Sequence, residues 1–284
     1  MNRLVSTEWL EKELGGADLR VLDCTVASKV RPDGGVDYGP GREGWERKHI
    51  PGSAHVDLHR LSDSSSPFPF MVPPPDQFSE AMSELGVGEG TRVVVYDRFM
   101  NVWAARVWWM LHAFGFDDAA VLDGGWRAWA ADGRPVSTDP EPDWAPGRFV
   151  ARLRPGVFVG KDEVLAAMDR REVTLVYALS RELHRGERQD YARPGHIPGS
   201  SNVPFAELVD PDTHRYLPEE GLSAAFSGAL STHPERVITY CGGGIAASSA
   251  AFVLSLLGVD DVAIYDGSMS EWAADPALPL VVGD

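Results

Sequence analysis

Cysteine, positive charge and long apolar runs are all scarce in this 284-residue chain. Cys24 and Cys241 are its only cysteines and stand far apart, which excludes a disulfide scaffold and a cysteine-rich zinc site. Lys and Arg number 26 against 42 Asp and Glu, for a net charge of −16. Nucleic acid and anionic membrane surfaces would be repelled by that field, so neither is expected as a partner. The most apolar stretch, Val102 to Phe114, is broken by Arg106 and His112 and is too short to span a bilayer. Met1 to Leu10 alternates polar and apolar residues without an apolar run of signal-peptide length. These absences leave a cytoplasmic enzyme or binding protein as the default. A hydrophobic content of 44% is that of an ordinary globular protein, and the length suggests about two domains.

What is present is a repeat. His49-Ile50-Pro51-Gly52-Ser53 returns as His196-Ile197-Pro198-Gly199-Ser200, an offset of 147. Arg92-Val93-Val94-Val95-Tyr96-Asp97 returns as Arg236-Val237-Ile238-Thr239-Tyr240-Cys241, an offset of 144, and Asp123-Gly124 with Trp129 returns as Asp266-Gly267 with Trp272, an offset of 143. Matches in one order with a drift of a few residues mean one fold present twice. Pro135 to Arg148, with prolines at 135, 140, 142 and 146, reads as an extended linker. The expected domains are therefore 1–135 and 151–284, joined by 136–150. A second irregular segment, Ser62 to Pro75, carries five prolines. Phe68, Phe70 and Met71 give it apolar anchors, and it is expected to drape over the first copy.

Short β-branched runs read as buried parallel strands: Arg20–Asp23, Arg92–Tyr96 and Ala119–Leu122, then Val173–Tyr177, Arg236–Tyr240 and Val262–Tyr265. Helical patterns lie between them, at Asp76–Leu85, Val102–Phe114, Lys161–Arg170 and Ala246–Leu257, several stopped by glycine. Alternation of this kind predicts an α/β fold in which each copy is a mainly parallel sheet flanked by helices.

The strongest chemical signal is Tyr240-Cys241-Gly242-Gly243-Gly244-Ile245-Ala246-Ala247-Ser248-Ser249. An apolar strand runs into a cysteine, then three glycines, then a helix of small residues. Ligands in open α/β sheets sit at the carboxyl ends of strands. Glycine lets the backbone curl so that several N–H groups point at one centre, and the helix adds its positive end. Such a loop, Gly242 to Ala246, would lower the pKa of Cys241 and hold a thiolate or an anion attached to it. Read alone, a single cysteine is more often a small buried hydrophobe. Cys24, inside the run Val21-Leu22-Asp23-Cys24, reads as that core residue.

The tandem His-Ile-Pro-Gly-Ser motifs, the strand-Cys-Gly loop in the second copy alone, and Tyr265-Asp266-Gly267-Ser268 followed by Glu271-Trp272 resemble the two-domain rhodanese-type sulfurtransferases. The likeness covers essentially the whole chain, and Arg106-Val107-Trp108-Trp109-Met110 fits it too. The family's amino-terminal domain is a silent copy, and Asp97 stands here where Cys241 stands in the second. The resemblance implies a double displacement through a Cys241 persulfide, with no metal or organic cofactor. The acceptor would be a thiol, a thioredoxin-like protein or cyanide. Members using thiosulfate usually place basic residues in this loop, whereas those similar to 3-mercaptopyruvate sulfurtransferases have an uncharged Cys-Gly-Ser-Gly-Val-Thr. Cys-Gly-Gly-Gly-Ile-Ala carries no cation, which favours a mercaptopyruvate-like donor. Gly243 and Ala246 nevertheless remove the family's serine and threonine.

A further departure lies at Tyr177-Ala178-Leu179, where the family has Asp-x-Arg, and Leu183 stands at the place of one substrate arginine. Arg181, Arg185 and Arg188 lie nearby; of these Arg185 and Arg188 are taken as candidates for a donor carboxylate, since guanidinium binds it bidentately. Solvated surface arginines would look the same. His49 and His196 are expected to orient turns rather than act as bases. His55 and His59 are four apart but lack a third zinc ligand. Asp57 and Asp63 align with an acidic stretch that faces the active site in relatives, and the nine tryptophans read as packing. Two rivals to a mercaptopyruvate enzyme remain on this fold besides a thiosulfate:cyanide enzyme. A phosphatase would need an arginine at Ala247 to close a Cys-x5-Arg loop. A non-catalytic sulfur carrier would accept sulfur on Cys241 without a small-molecule donor site.

Overall fold

The computed structural model describes residues 1–31 and 36–283. Its strands are β1 (Leu4–Val5), β2 (Leu19–Asp23), β3 (Val26–Val30), β4 (Val36–Pro40), β5 (Ser53–His55), β6 (Arg92–Tyr96) and β7 (Ala119–Leu122), then β8 (Phe158–Val159), β9 (Val173–Tyr177), β10 (Ser201–Asn202), β11 (Arg236–Tyr240) and β12 (Val262–Tyr265). One five-stranded sheet has the order β1-β7-β6-β2-β5 and another β8-β12-β11-β9-β10, and every pairing in both is parallel. Read strand for strand, the second order is the first, so the sequence repeat is a repeat of topology. β3 and β4 form a separate antiparallel hairpin.

The chain divides into two compact units. One comprises Met1–Ser64, Val72–Leu153 and Asp212–Arg215, and the other Ser65–Met71, Arg154–Pro211 and Tyr216–Asp284. Each unit therefore includes a short segment from the opposite half of the sequence. The expectation that Ser62 to Pro75 covers the first copy is corrected for its central part, because Ser65–Met71 packs with the second unit. Proline and aromatic content marks such a segment as anchored, but says nothing of which core anchors it.

Both cores follow from the strand pattern. Val21, Val94, Tyr96, Ala120 and Leu122 pack with Leu10, Ile50 and Trp129 in the first unit. Leu175, Tyr177, Ile238, Tyr240, Ala263 and Tyr265 pack with Ile197, Met269 and Trp272 in the second. Central strands buried on both faces need apolar residues at successive positions, which is why the sequence reads as runs rather than alternation. The helix Val102–Ala113 lies against β6 and β7, and Ile245–Leu256 lies against β11 and β12. Both are buried along nearly their whole length. Each ends before a glycine in the left-handed region, Gly115 at φ +89 and Gly258 at φ +77, where a Cβ would be strained.

The two His-Ile-Pro-Gly-Ser motifs are clamped by tyrosines at the ends of the central strands. Tyr96 Oη receives the Ile50 N–H at 3.4 Å and pairs with Ser53 Oγ at 3.1 Å. Tyr240 Oη receives the Ile197 N–H at 3.0 Å and pairs with Ser200 Oγ at 2.7 Å. His49 Nδ1 lies 2.9 Å from the Trp45 carbonyl, and His196 Nδ1 lies 2.7 Å from the His184 carbonyl. Both histidines orient turns. Replacing Tyr96 by Phe strands the buried Ile50 amide and leaves the Ser53 hydroxyl only the Trp45 indole N–H, at 3.0 Å, so it should cost about 1–2 kcal/mol in urea unfolding; an unchanged midpoint would show that the clamp contributes nothing.

Candidate active site

β11 delivers Cys241 to the carboxyl edge of its sheet, where it is 2% exposed. Gly242, Gly243 and Gly244 turn the chain, and Gly244 takes φ +78 to start the helix at Ile245. The amides of a first helical turn have no partner within the helix, so those of Ile245, Ala246 and Ala247 are directed at the loop. Ser248 closes the turn, its N–H bonding Gly244 O at 3.1 Å and its hydroxyl the same carbonyl at 2.7 Å.

The loop is fastened from the neighbouring strand. After β12 the chain turns through Ser268, whose φ of +48 is unusual for a residue with a Cβ. Its hydroxyl donates to Tyr265 O at 2.7 Å and accepts the N–H groups of Cys241 at 3.0 Å and Gly244 at 3.3 Å. Met269 N–H bonds Cys241 O at 3.0 Å, while Ser270 places both its N–H, at 3.0 Å, and its hydroxyl, at 2.6 Å, on Gly242 O. On another side stands Tyr191. A Cβ on Gly242 would meet its hydroxyl at 1.9 Å, so any larger residue there would have to displace the Tyr191 side chain. The Pro69 carbonyl, in the segment counted with this unit, would lie 3.7 Å from a Cβ on Gly243.

The first unit holds the same loop with an acid in it. Asp97 is 1% exposed and its carboxylate accepts four backbone N–H groups. Phe99 at 2.6 Å and Asn101 at 3.1 Å bond one oxygen; Trp103 and Ala104, both at 2.9 Å, bond the other. Trp126 N–H bonds Asp97 O at 2.9 Å, as Met269 bonds Cys241. Burial pushes the carboxyl up to about 7, against the pull of these donors. Gly125, at φ +53, is the counterpart of Ser268, so the pinning hydroxyl exists in the second loop and not the first.

Arg185 and Arg188 lie just beyond the turn of helix Arg181–His184. Arg188 pairs bidentately with Asp190, its Nε at 2.8 Å, and holds that carboxyl below the usual range. Arg185 stands 4.0 Å from Glu187. Arg181 is bidentate to Glu207 at 3.0 and 2.5 Å. Leu183 is buried in the core. Asp57 accepts from the His59 amide at 3.0 Å, and His55 Nε2 lies 3.3 Å from Thr25 O. Among the described residues no group of three or more His, Cys, Asp or Glu is arranged to hold a metal. Cys24 is fully buried beside Asp23 and Asp97, and burial raises its thiol well above the ordinary range.

Residues 6–132 and 162–275 each match the family described as the rhodanese-like domain. The chain is 35% identical to 3-mercaptopyruvate sulfurtransferase of Rattus norvegicus over 278 residues, covering 95% of this chain and 91% of that protein. Against thiosulfate sulfurtransferase of the same organism identity is 34% over 284 residues, with the same coverage. The crystal structure of SseA from Escherichia coli, described as a 3-mercaptopyruvate sulfotransferase, superposes with a TM-score of 0.83 at 31% identity, covering 95% of this chain and all of that one. The chain belongs to the rhodanese family. Within it, the chain is one of the two-domain sulfurtransferases.

Ser268 and Tyr191 were not singled out by motif as loop partners. Ser268 was legible in principle, since aligning the copies sets it against Gly125; Tyr191, outside the matched motifs, gave no such sign. Two outcomes follow from the paired loops. Ser268→Gly should relieve the backbone while releasing the loop, and Ser268→Ala should release it under strain. Sulfur-transfer kcat is then expected to fall about tenfold in both, with Ala the less stable by about 1 kcal/mol; unchanged kcat in both would remove Ser268 from the site's support. For Asp97, the folded carboxyl titrates near 7 and the unfolded one near 3.8, so the folded state holds the extra proton between them. Stability contributed by this group is complete below pH ~4 and is lost as pH rises through ~7, on the order of 4 kcal/mol. Asp97→Asn should remove that slope from urea-unfolding data, and parallel pH profiles for the two proteins would contradict it.

Proposed function

We propose that Cys241 is the sulfur carrier, in a catalytic half 151–284 linked by 136–150 to a silent half 1–135, and that the donor is 3-mercaptopyruvate or a close analogue. The observation that carries this reading is the Asp97 carboxylate. A loop of the same build, at the same place in the duplicated sheet, turns four N–H groups onto the two oxygens of a carboxyl group. By the 143-residue offset, Trp103 and Ala104 correspond to Ala246 and Ala247. A cradle for a carboxylate in one copy supports a cradle for a thiolate or persulfide anion in the other.

In this reaction the Cys241 thiolate attacks the sulfur of mercaptopyruvate. An S–S bond forms, the C–S bond breaks, and its electron pair leaves as the enolate of pyruvate, which takes up the proton released from the mercapto group. The products are pyruvate and the Cys241 persulfide anion. A thiol, a thioredoxin-like protein or cyanide then takes the outer sulfur and restores the thiolate. Arg185 and Arg188 are the proposed cations for the donor carboxylate; Arg188 lies within electrostatic reach of Tyr191, whose hydroxyl touches the loop. The unpaired cysteines fit a reducing, cytoplasmic setting, and among the described residues no helix is long and apolar enough to cross a membrane.

Thiosulfate is the second donor to weigh, because the thiosulfate sulfurtransferase is nearly as similar. Its sulfonate dianion calls for cations in the loop, and Gly242 to Ala247 supply none. Intact mass should rise by one sulfur atom on incubation with 3-mercaptopyruvate, and Cys241→Ser should abolish the gain. Sulfur retained by the Ser variant would shift the carrier to Cys24. The ratio of kcat/KM for mercaptopyruvate over thiosulfate should be roughly tenfold or more, the worth of one unmatched charge contact; a thiosulfate preference would overturn the donor assignment.

A further inference from the structure

Arg185 and Arg188 lie in the turn that leaves the four-residue helix Arg181–His184. A helix that short is marginal alone, so the heading of its last residues is set by what it packs against. Its buried side chains are Leu183, which joins the core, and His184. The His184 ring lies flat on that of His196, with centroids 3.5 Å apart at 9°. The His184 carbonyl faces His196 Nδ1 at 2.7 Å, and a carbonyl only accepts, so that nitrogen carries the proton and donates. His184 Nε2 stands 3.4 Å from Ser200 O. His196 is itself anchored by two backbone bonds to Val281, at 2.9 and 3.0 Å. The Tyr177 ring stands 5.8 Å from that of His184 at 40°, and its hydroxyl has no hydrogen-bond partner, so it packs against the pair without bonding to it.

The first copy repeats the closure with another ring. Trp45 lies on His49 with centroids 4.0 Å apart at 10°, its carbonyl faces His49 Nδ1 at 2.9 Å, and His49 exchanges two backbone bonds with Ser137. A flat ring on the motif histidine is common to both copies; an imidazole pair is not. What differs is the span. Trp45 and His49 are 4 residues apart, whereas His184 and His196 are 12 apart, eight more. Both candidate cations for the donor fall in that longer loop. The stack and the hydrogen bond join its two ends, and a closed loop has far fewer conformations than an open one.

We infer that His184 is a positioning residue of the donor site: its stack on His196 closes the loop 184–196 and so aims Arg185 and Arg188 at the donor carboxylate. The role is geometric, and no proton or sulfur passes through His184. In a double displacement the desulfurated product leaves before the acceptor enters, so the loop bears on the first half-reaction and not on the second. The inference rests on Arg185 and Arg188 being the cations that meet the donor.

The test measures both half-reactions in the full chain, as kcat/KM for 3-mercaptopyruvate and kcat/KM for cyanide, in wild type, His184→Ala, His184→Phe, Arg185→Ala and Arg188→Ala. His184→Ala should lower the donor value about tenfold, the cost of a guanidinium that no longer meets a carboxylate squarely, and leave the cyanide value unchanged. His184→Phe, which keeps a flat ring on His196, should retain the donor value. Donor and cyanide values that fall together in His184→Ala would mark a loss of folded enzyme, and an unchanged donor value would mark a loop that holds itself. Either result overturns the inference, as does a donor loss in His184→Phe as large as in His184→Ala. If neither arginine variant lowers the donor value, the donor-cation reading falls first and the role of His184 with it. That outcome is distinct from arginine variants that lose donor turnover while His184→Ala does not.

Discussion

Cys241 is held by the chain that follows the adjacent strand. Met269 N–H fixes its carbonyl and Ser268 Oγ its amide, while Ser270 fixes the carbonyl of Gly242. A glycine loop alone is loose, and its N–H groups converge on a point only if something outside the loop sets their directions. Here that something is a serine held at φ +48, a conformation that costs roughly 1–2 kcal/mol for a residue with a Cβ. Three hydrogen bonds on one hydroxyl offset the strain. Place Ser268 elsewhere and the parallel sheet would still form, but the loop would lose the fastening that sets its shape.

The duplicated unit makes the same argument from its other half. Asp97 occupies the loop with a carboxyl group of its own, so the four N–H groups are satisfied internally. Gly125 then suffices next door, because the carboxylate orders the loop from within. In the second unit no side-chain carboxyl fills the loop, and order has to be supplied from outside by Ser268, Ser270 and Tyr191. The two copies solve one geometric problem in opposite ways, the first from within its loop and the second from outside it.

Sequence patterning made the central strands legible because parallel strands buried on both faces must be continuous apolar runs. Arg92–Tyr96, Ala119–Leu122, Val173–Tyr177, Arg236–Tyr240 and Val262–Tyr265 are found as read. The edge strands β1, β5, β8 and β10 are two or three residues long and carry no period. The hairpin of β3 and β4 is largely exposed and lacks the apolar alternation that marks a strand packed on a core. Cys241 and its glycines were legible because strand, cysteine and loop are contiguous. Ser268, Tyr191 and Ser65–Met71 reach the second unit's loop or core from elsewhere in the chain, through contacts that local pattern does not encode. Tyr177 was visible as a departure from the family, while its unpartnered hydroxyl is a property of packing alone.

The arginines raise the opposite question, since each candidate already has a carboxylate beside it. In a chain of net charge −16 that is unsurprising, and it does not disqualify them. Arg188 is 60% exposed in its side chain and Asp190 39%, and exposed ion pairs contribute about 0–1 kcal/mol. On the proposed reading, a donor carboxylate would displace Asp190 at that small cost. Arg193 cannot be recruited in this way, because its guanidinium is spread over the carbonyls of Trp272, Ala273, Asp275 and Leu278 and braces the core around Trp272. The distinction between an available cation and a structural one thus rests on what each arginine would have to give up. A guanidinium bonded to a solvated carboxylate gives up little; one bonded to four carbonyls would have to loosen the segment that packs against Met269, and with it the fastening of Cys241.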